Sequence, residues 1–438
     1  MRLFICLNCE SGCRIKEFGC GGTNSRRDDA FERKIKLKPT SSEPIDLFSD
    51  QFHQQPYTYY KDIREQTGFA KVMLPYGIPA WMAFHYDVAE AVLKDERFIK
   101  DARTVFPDEV SDEQMLPISK SMLFVDPPDH KRLRGLIQKG FTPKRISRLK
   151  GRIDAIAMEQ ARRIKQKKRF DLVEEYAFPI PIIVICELLG IPDSDRDKFQ
   201  YWSKLIVDLD NDGYGESSTV QEGMNDFLAY LQALIHARRQ DPREDLLSDL
   251  IRAEEDGDRL TTNELYGVVM LLIVAGHETT VNLIANGMLA LLMHPDQLAL
   301  LKNDDQLIPQ AVEELLRYNS PVEFSTDRWA RESFSFMGKD IKKGDFVIVS
   351  LASANHDEAL VEHPDKLDIT REKSPHLSFG KGIHYCLGAP LARLEAESAI
   401  RVLLEECPDI RLGAEPAELA WRQSLIIRGL ENLPVETG

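Results

Sequence analysis

The chain has 438 residues, of which 43% are hydrophobic and 29% charged, with a formal net charge of -15. That length allows a large core and two or three domains as a prior, and the composition is that of an ordinary globular protein. The acidic balance excludes general nucleic-acid binding, which calls for a basic surface.

Residues 1 to 45 differ from the rest: Cys6, Cys9, Cys13 and Cys20 crowd a Gly-, Lys- and Arg-rich stretch that ends in the linker-like "KPTSSEP". The Cys-x2-Cys-x3-Cys-x6-Cys spacing suits zinc or an iron–sulfur cluster, but no second well-spaced pair and no nearby histidine support it. The expectation is therefore a disordered extension, or a start codon assigned too early. No apolar run followed by a small-residue cleavage site is present, so no signal peptide is expected. The remaining cysteines, Cys186, Cys386 and Cys407, are scattered, which suits a reducing compartment and a cytoplasmic location.

From residue 46 onward the pattern is mainly α with a small β-region. "KVMLPYGIPAWMAFHY" (71–86) predicts a hairpin with turn signals at Tyr76-Gly77 and Pro79, and the next segment carries Asp87 and Glu90 at capping-box spacing. Helical patterns follow at 144–167, 221–239, 262–293, 306–318 and 387–406, with an acidic Gly/Ser-rich loop at 208–218. "SFSFMGKDIKKGDFVIVSLA" (333–352) predicts a second hairpin turning at Lys343-Gly344. The longest apolar run, "LYGVVMLLIVAG" (265–276), is too short to cross a bilayer and reads as a buried helix.

Four constellations carry chemistry. "FGKGIHYCLG" (379–388) sets Cys386 among glycines and directly before an amphipathic helix. Backbone N–H groups and the helix dipole favour a thiolate there, and glycines let the loop turn its own N–H groups toward the sulfur. Such a thiolate is either a nucleophile, for which His384 at i−2 is an uncertain base, or a ligand to haem iron. "AGHETT" (275–280) places Gly276 and two threonines inside an apolar helix, at a cost of about 1 kcal/mol for the glycine. Back-bonding by Thr279 to the carbonyl of Ala275 would bend the helix and open a groove lined by a hydroxyl and a carboxylate; the alternative is a kink that only improves packing. In "EELLR" (313–317), Glu314 and Arg317 share a helix face. In "DPPDHKRLRGL", the prolines block a preceding helix, Asp129 can cap a new one, and His130 and Arg134 lie one turn apart. Residues 131–152 are locally basic.

The complete run Phe379-Gly380-x-Gly382-x-His384-x-Cys386-x-Gly388 resembles the haem-binding signature of the cytochrome P-450 family, and the other motifs follow in the family's order over residues 46–438. The resemblance implies a single, mostly helical domain enclosing haem b, with Cys386 as the axial thiolate. Phe379 and Gly380 would lie beside the haem, and Gly388 would let the next helix approach it. Ala275 and Gly276 would line an oxygen groove, with Glu278 and Thr279 as the acid–alcohol pair that delivers protons and His277 turned away. His130, Arg134, Arg328 and His384 would meet the propionates. Glu314, Arg317 and Arg371 would form a buried structural triad. The implied activity is insertion of one oxygen atom of O2 into a lipophilic molecule of the polyketide, fatty acid, steroid or terpenoid class, as in secondary metabolism. Electrons would come from NAD(P)H through a separate ferredoxin or flavodoxin and its reductase, docked on the basic stretch around Lys131 and Arg132. Glu278 and Thr279 speak against a peroxide-driven relative, and against a haem sensor they would serve no purpose. Pocket walls are expected at 101–122, 208–218, Val322, Glu323, Phe324 and Ser424–Ile426, with Glu323 hinting at a polar substrate group.

Overall fold

The computed structural model describes residues 49–74, 78–107, 117–199, 201–202, 218–255 and 260–438. The cysteine-rich segment, the Tyr76-Gly77 turn and nearly all of the 208–218 loop lie outside the described residues. The centre of the molecule is the helix Thr262–Met293, with Leu265, Val268, Val269, Ile284, Met288 and Leu291 fully buried. A helix apolar on all sides must be covered on all sides. It is 32 residues long and apolar enough to span a membrane by composition, yet most of it is buried inside the protein, as a core helix requires. The Thr261 hydroxyl accepts from the Glu264 N–H at 3.3 Å while the Glu264 carboxylate accepts from the Thr261 N–H at 2.7 Å, which fixes the helix start.

Around it pack the helices Pro179–Leu189, Ile308–Tyr318 and Ala389–Glu406, and the last of these lies along Pro143–Lys165. Thr142 caps that helix and Pro143 opens it, since the first turn loses nothing by lacking an N–H. The predicted helices at 144–167, 221–239, 306–318 and 387–406 are thus found at Pro143–Lys165, Ser218–Gln240, Ile308–Tyr318 and Ala389–Glu406.

The β-region lies to one side. Strands β1 (Phe69–Leu74), β2 (Ile78–Ala83), β3 (Phe98–Ile99), β5 (Arg328–Ala330) and β8 (Phe346–Val349) form a sheet in the order β1-β2-β8-β5-β3. The predicted first hairpin is β1 and β2, with Phe69 opposite Ala83. Strands β4 (Arg169–Asp171), β9 (Arg411–Leu412) and β10 (Pro434–Glu436) form a second sheet, and β6 (Phe334–Phe336) pairs with β7 (Lys339–Ile341).

Three local expectations are corrected. The second hairpin turns at Met337-Gly338, between β6 and β7, whereas Lys343-Gly344 connects β7 to β8, which leaves to pair in parallel with β2 and antiparallel with β5. Asp87 and Glu90 form no capping box: the helix is Tyr86–Lys94, and its Tyr86 N–H donates to the Asp357 carboxylate at 2.8 Å. Asp129 is the first helical residue of Asp129–Gln138 rather than its cap, and it accepts from Arg132 at 2.8 Å.

Candidate haem-thiolate site

The Cys386 loop is shaped by backbone contacts. Gly380 N–H donates to Leu377 O at 2.7 Å, Tyr385 N–H to Gly382 O at 3.1 Å, and Cys386 N–H to Phe379 O at 2.9 Å. Gly380 and Gly382 adopt φ of +69° and +71°, a region L-residues rarely occupy. At Gly382 a Cβ would also meet the Leu93 carbonyl at 2.6 Å, so a side chain there would push the loop off the Tyr86–Lys94 helix. Upstream, Asn355 holds the loop entry, donating to Ser378 Oγ at 2.9 Å and accepting the Leu377 N–H at 2.6 Å.

The sulfur is favoured as an anion by groups that follow it. The N–H groups of Gly388 and Ala389, at the start of Ala389–Glu406, bond to it, and Arg134 and Arg393 lie near. Burial still pushes the thiol up, the larger effect. This corrects the expectation that the preceding glycine loop supplies the donors: its glycines shape the turn, and the helix start supplies the N–H groups. Gly388 itself clashes with nothing, since a Cβ there would sit 3.9 Å from Cys386 Sγ. His384 is no partner of the sulfur. Its ring faces His130 with centroids 4.4 Å apart, and among the described residues its Nε2 has no hydrogen-bond partner. Phe379 carries the Arg393 guanidinium over its ring at 4.6 Å, and Arg393 is held in turn by Glu313 at 2.5 Å.

Cys386, Phe379, Gly380, His384 and Gly388 line one cleft together with Ala275, Gly276 and Thr279 of the long helix, His130, Arg134 and Arg328. Of the residues expected to contact haem, bind its iron or deliver protons, Glu278 is absent from this lining. Helical structure continues unbroken across Gly276, whose missing Cβ lets Ile185 approach, the nearest atom being 3.2 Å from where that Cβ would stand. Thr279 Oγ1 donates to Ala275 O at 3.1 Å, the expected back-bond. Glu278 turns to the far side of the helix, where Arg422 donates to it at 2.5 Å and the Asn282 amide lies at 3.4 Å. His277 is fully buried, with Nδ1 2.7 Å from Ile273 O, so it does point away.

The cationic end of the cleft tests whether haem fits. Arg328 is buried; among the described residues its Nε has no hydrogen-bond partner, while Nη1 donates to Phe98 O at 3.3 Å. His130 Nε2 is buried and unpartnered as well, and Arg134 donates to Tyr385 O at 2.8 Å. Burial lowers the Arg328 guanidinium to about 10, and burial together with Lys100, Arg328, His130 and Arg134 depresses His384 far below the usual imidazole range. Like charges gathered out of water with open donors are costly unless an anion joins them. A group with two carboxylates and a metal that takes a thiolate meets both ends of the cleft, so the residues fit haem.

Two cleft residues escaped the sequence reading. Lys100, 5% exposed, stands beside Arg328 and His384. Glu395, 1% exposed, sits nearly two turns into Ala389–Glu406. Neither Glu395 oxygen meets hydrogen-bond geometry, although the Thr280 hydroxyl beside it gives slight compensation, and burial lifts its carboxyl to about 8. The carboxyl of the unfolded chain releases its proton near 4.5 while the folded one keeps it to about 8, so stability falls as pH rises across that window. Glu395→Gln is expected to flatten this fall and to be more stable than the parent at pH 8 by about 3–5 kcal/mol, read from denaturant midpoints at pH 5 and pH 8.

The expected pocket walls are partly corrected. Met122, Leu123 and Val322 line the cleft with Leu271 and Leu272, whereas Glu323 is buried elsewhere and accepts from Tyr60 Oη at 2.7 Å. It offers nothing to a substrate. Phe324 packs edge-on against Tyr60, at 6.2 Å between centroids, in a separate cluster that also takes Leu425. Ser424 uses its Oγ to accept the Ile427 N–H. The basic stretch is also more neutral than its sequence: Arg132 pairs with Glu264 and Asp129, Arg145 with Asp249, Lys150 with Asp154 and Arg152 with Glu187. Lys131 is exposed.

This fold and this thiolate cleft define a haem-thiolate protein. Residues 214–408 match the family model described as Cytochrome P-450. The chain is 44% identical over 409 residues to the cytochrome P-450 monooxygenase PikC of Streptomyces venezuelae, covering 92% of this chain and 97% of that one. It is 43% identical to the vitamin D(3) 25-hydroxylase of Pseudonocardia autotrophica, over 92% and 99% of the two chains. The solved structure of the bacillaene polyketide synthase cytochrome P-450 PksS of Bacillus subtilis 168 superposes with a TM-score of 0.84 at 41% identity, covering 90% of this chain and 100% of that one. The chain belongs to the cytochrome P-450 family and is a cytochrome P-450 monooxygenase.

Proposed function

We propose that this monooxygenase hydroxylates or epoxidises a lipophilic small molecule of the polyketide, steroid, fatty acid or terpenoid class. The observation that carries the reading is the apolar wall of Met122, Leu123, Leu271, Leu272 and Val322 on the same cleft as Cys386 and Thr279. Such a wall excludes water and binds by burying apolar surface, at roughly 25 cal/mol per Å2. Two relatives, a polyketide synthase cytochrome and a vitamin D(3) hydroxylase, agree with a large apolar substrate.

When bound, haem b supplies the oxidation: one atom of O2 enters a C–H bond, the other leaves as water, and two electrons and two protons are consumed. The chain's own residues do the rest. Cys386 would give its thiolate to the metal, a ligand that pushes electron density onto iron, and the N–H groups of Gly388 and Ala389 steady its charge. His130, Arg134, Arg328 and His384, which line the same cleft, would hold the propionates. Thr279, which lines the cleft with its hydroxyl proton resting on Ala275 O, relays protons, whereas Glu278 faces Arg422 on the other side of the helix. Electrons come from NAD(P)H through a ferredoxin or flavodoxin and its reductase in the cytoplasm. Because Arg132 is already neutralised by Glu264, Lys131 is the better candidate for steering the partner. Residues 46–438 form the haem domain and residues 1–45 an appended segment.

The test starts with the ferric protein, titrated with macrolides, steroids, fatty acids and terpenoids until one class moves the Soret band from low to high spin. With that class as substrate, Thr279→Ala is expected to leave haem content unchanged while product formed per NADPH falls about tenfold or more. Intact coupling in the variant would remove Thr279 from proton delivery.

A further inference from the structure

Lys100 directly follows β3, and its backbone is fixed: its N–H donates to both carboxylate oxygens of Asp126, at 3.0 Å and 3.0 Å, and Asp101 N–H donates to the same group at 2.9 Å. The side chain runs inward to the cleft. Its ammonium donates to Thr326 Oγ1 and, at 2.7 Å, to Asp327 O, both neutral acceptors. An ammonium has three N–H donors, so among the described residues one remains. Asp126 and Asp327 are the acids that face it, but neither carboxylate forms an ion pair with it. Arg328 and His384 stand on its other side. Burial and the Arg328 charge push its pKa well below the ordinary lysine value. A 5% exposed lysine beside the Arg328 guanidinium, lacking a paired carboxylate among the described residues, is poorly placed unless an anion completes the site.

We propose that Lys100 is a fifth residue of the propionate end of the cleft, holding a haem carboxylate with its remaining N–H and so tying the start of the 101–122 pocket segment to the cofactor. The inference rests on the haem reading above and extends it to a residue no motif marks. It explains why a lysine, and not an apolar residue, stands here: charge-assisted bonds to a carboxylate exceed those to neutral oxygens.

The test compares the holoprotein with Lys100→Gln, Lys100→Arg and Thr326→Val, following transfer of haem to excess apomyoglobin by the Soret band. Lys100→Gln is expected to release haem about tenfold faster, while Lys100→Arg, which keeps the charge, and Thr326→Val, which removes only a neutral acceptor, stay within about twofold of the parent. Release from Lys100→Gln at the parental rate would overturn the proposal. So would equal acceleration in Lys100→Arg or in Thr326→Val, which would make the lysine a packing element. A parent preparation without a Soret band would overturn the haem reading first, and this inference with it.

Discussion

Replacing Cys386 by serine is expected to lower monooxygenase turnover by at least about 10³-fold, equivalent to about 4 kcal/mol of lost transition-state stabilisation. Serine matches the size of cysteine, and the N–H groups of Gly388 and Ala389 would still have an acceptor. What disappears is the sulfur anion: a hydroxyl is not deprotonated under these conditions and is a poor donor to a soft site. The cations at the far end of the cleft and its apolar walls do not depend on the sulfur, so the variant is expected to keep part of its haem, with a Soret spectrum lacking the thiolate signature. Turnover and spectrum measured on one preparation check this. Parental turnover in Cys386→Ser would remove the thiolate from the mechanism.

The second large effect is on folding. Glu314 and Arg317 are fully buried, joined by two hydrogen bonds of 2.8 Å each. Arg371 reaches the same carboxylate at 3.4 Å, Ser374 Oγ at 2.8 Å and the Asp368 N–H at 3.2 Å. Arg317 also donates to Pro364 O at 2.7 Å and Asn355 O at 3.2 Å, so the pair fastens the irregular chain that leads into the Cys386 loop. Glu314→Gln leaves the Arg317 charge buried without its counter-ion. The expected loss is about 3–5 kcal/mol, a large part of the 5–15 kcal/mol that domains typically possess, and it shows as a lower denaturant midpoint and a fall in haem-loaded yield. The exposed Arg411–Glu436 pair at 2.9 Å provides the control. Breaking it with Glu436→Gln is expected to cost no more than about 1 kcal/mol, because water already screens that pair.

The site was legible where its chemistry is local in the chain. Cys386 and the glycines that shape its turn stand within ten residues, and Thr279 with its back-bond to Ala275 stands within one helical turn. The buried helices were legible because periodicity marks a face that must be covered. What escaped depends on contacts between distant segments. The cap of Tyr86–Lys94 is Asp357, 271 residues away, so the local Asp87/Glu90 pattern misled. Strand β8 carries no sequence sign that it joins β2 in parallel instead of folding back on β7. Lys100 and Glu395 look like surface charges in the sequence, and only the packing of β3 and of Ala389–Glu406 against the cleft buries them. Glu323 erred the other way: its place beside Val322 suggested a pocket, and the Tyr60 hydroxyl claims it.

The most direct test of the central claim is the optical spectrum of the reduced, carbon-monoxide-saturated protein expressed with ample haem. Thiolate ligation by Cys386 predicts a strongly red-shifted Soret band in the parent that is lost in Cys386→Ser. A parent spectrum with the unshifted band of an imidazole-ligated haem, or with no Soret band, would contradict it.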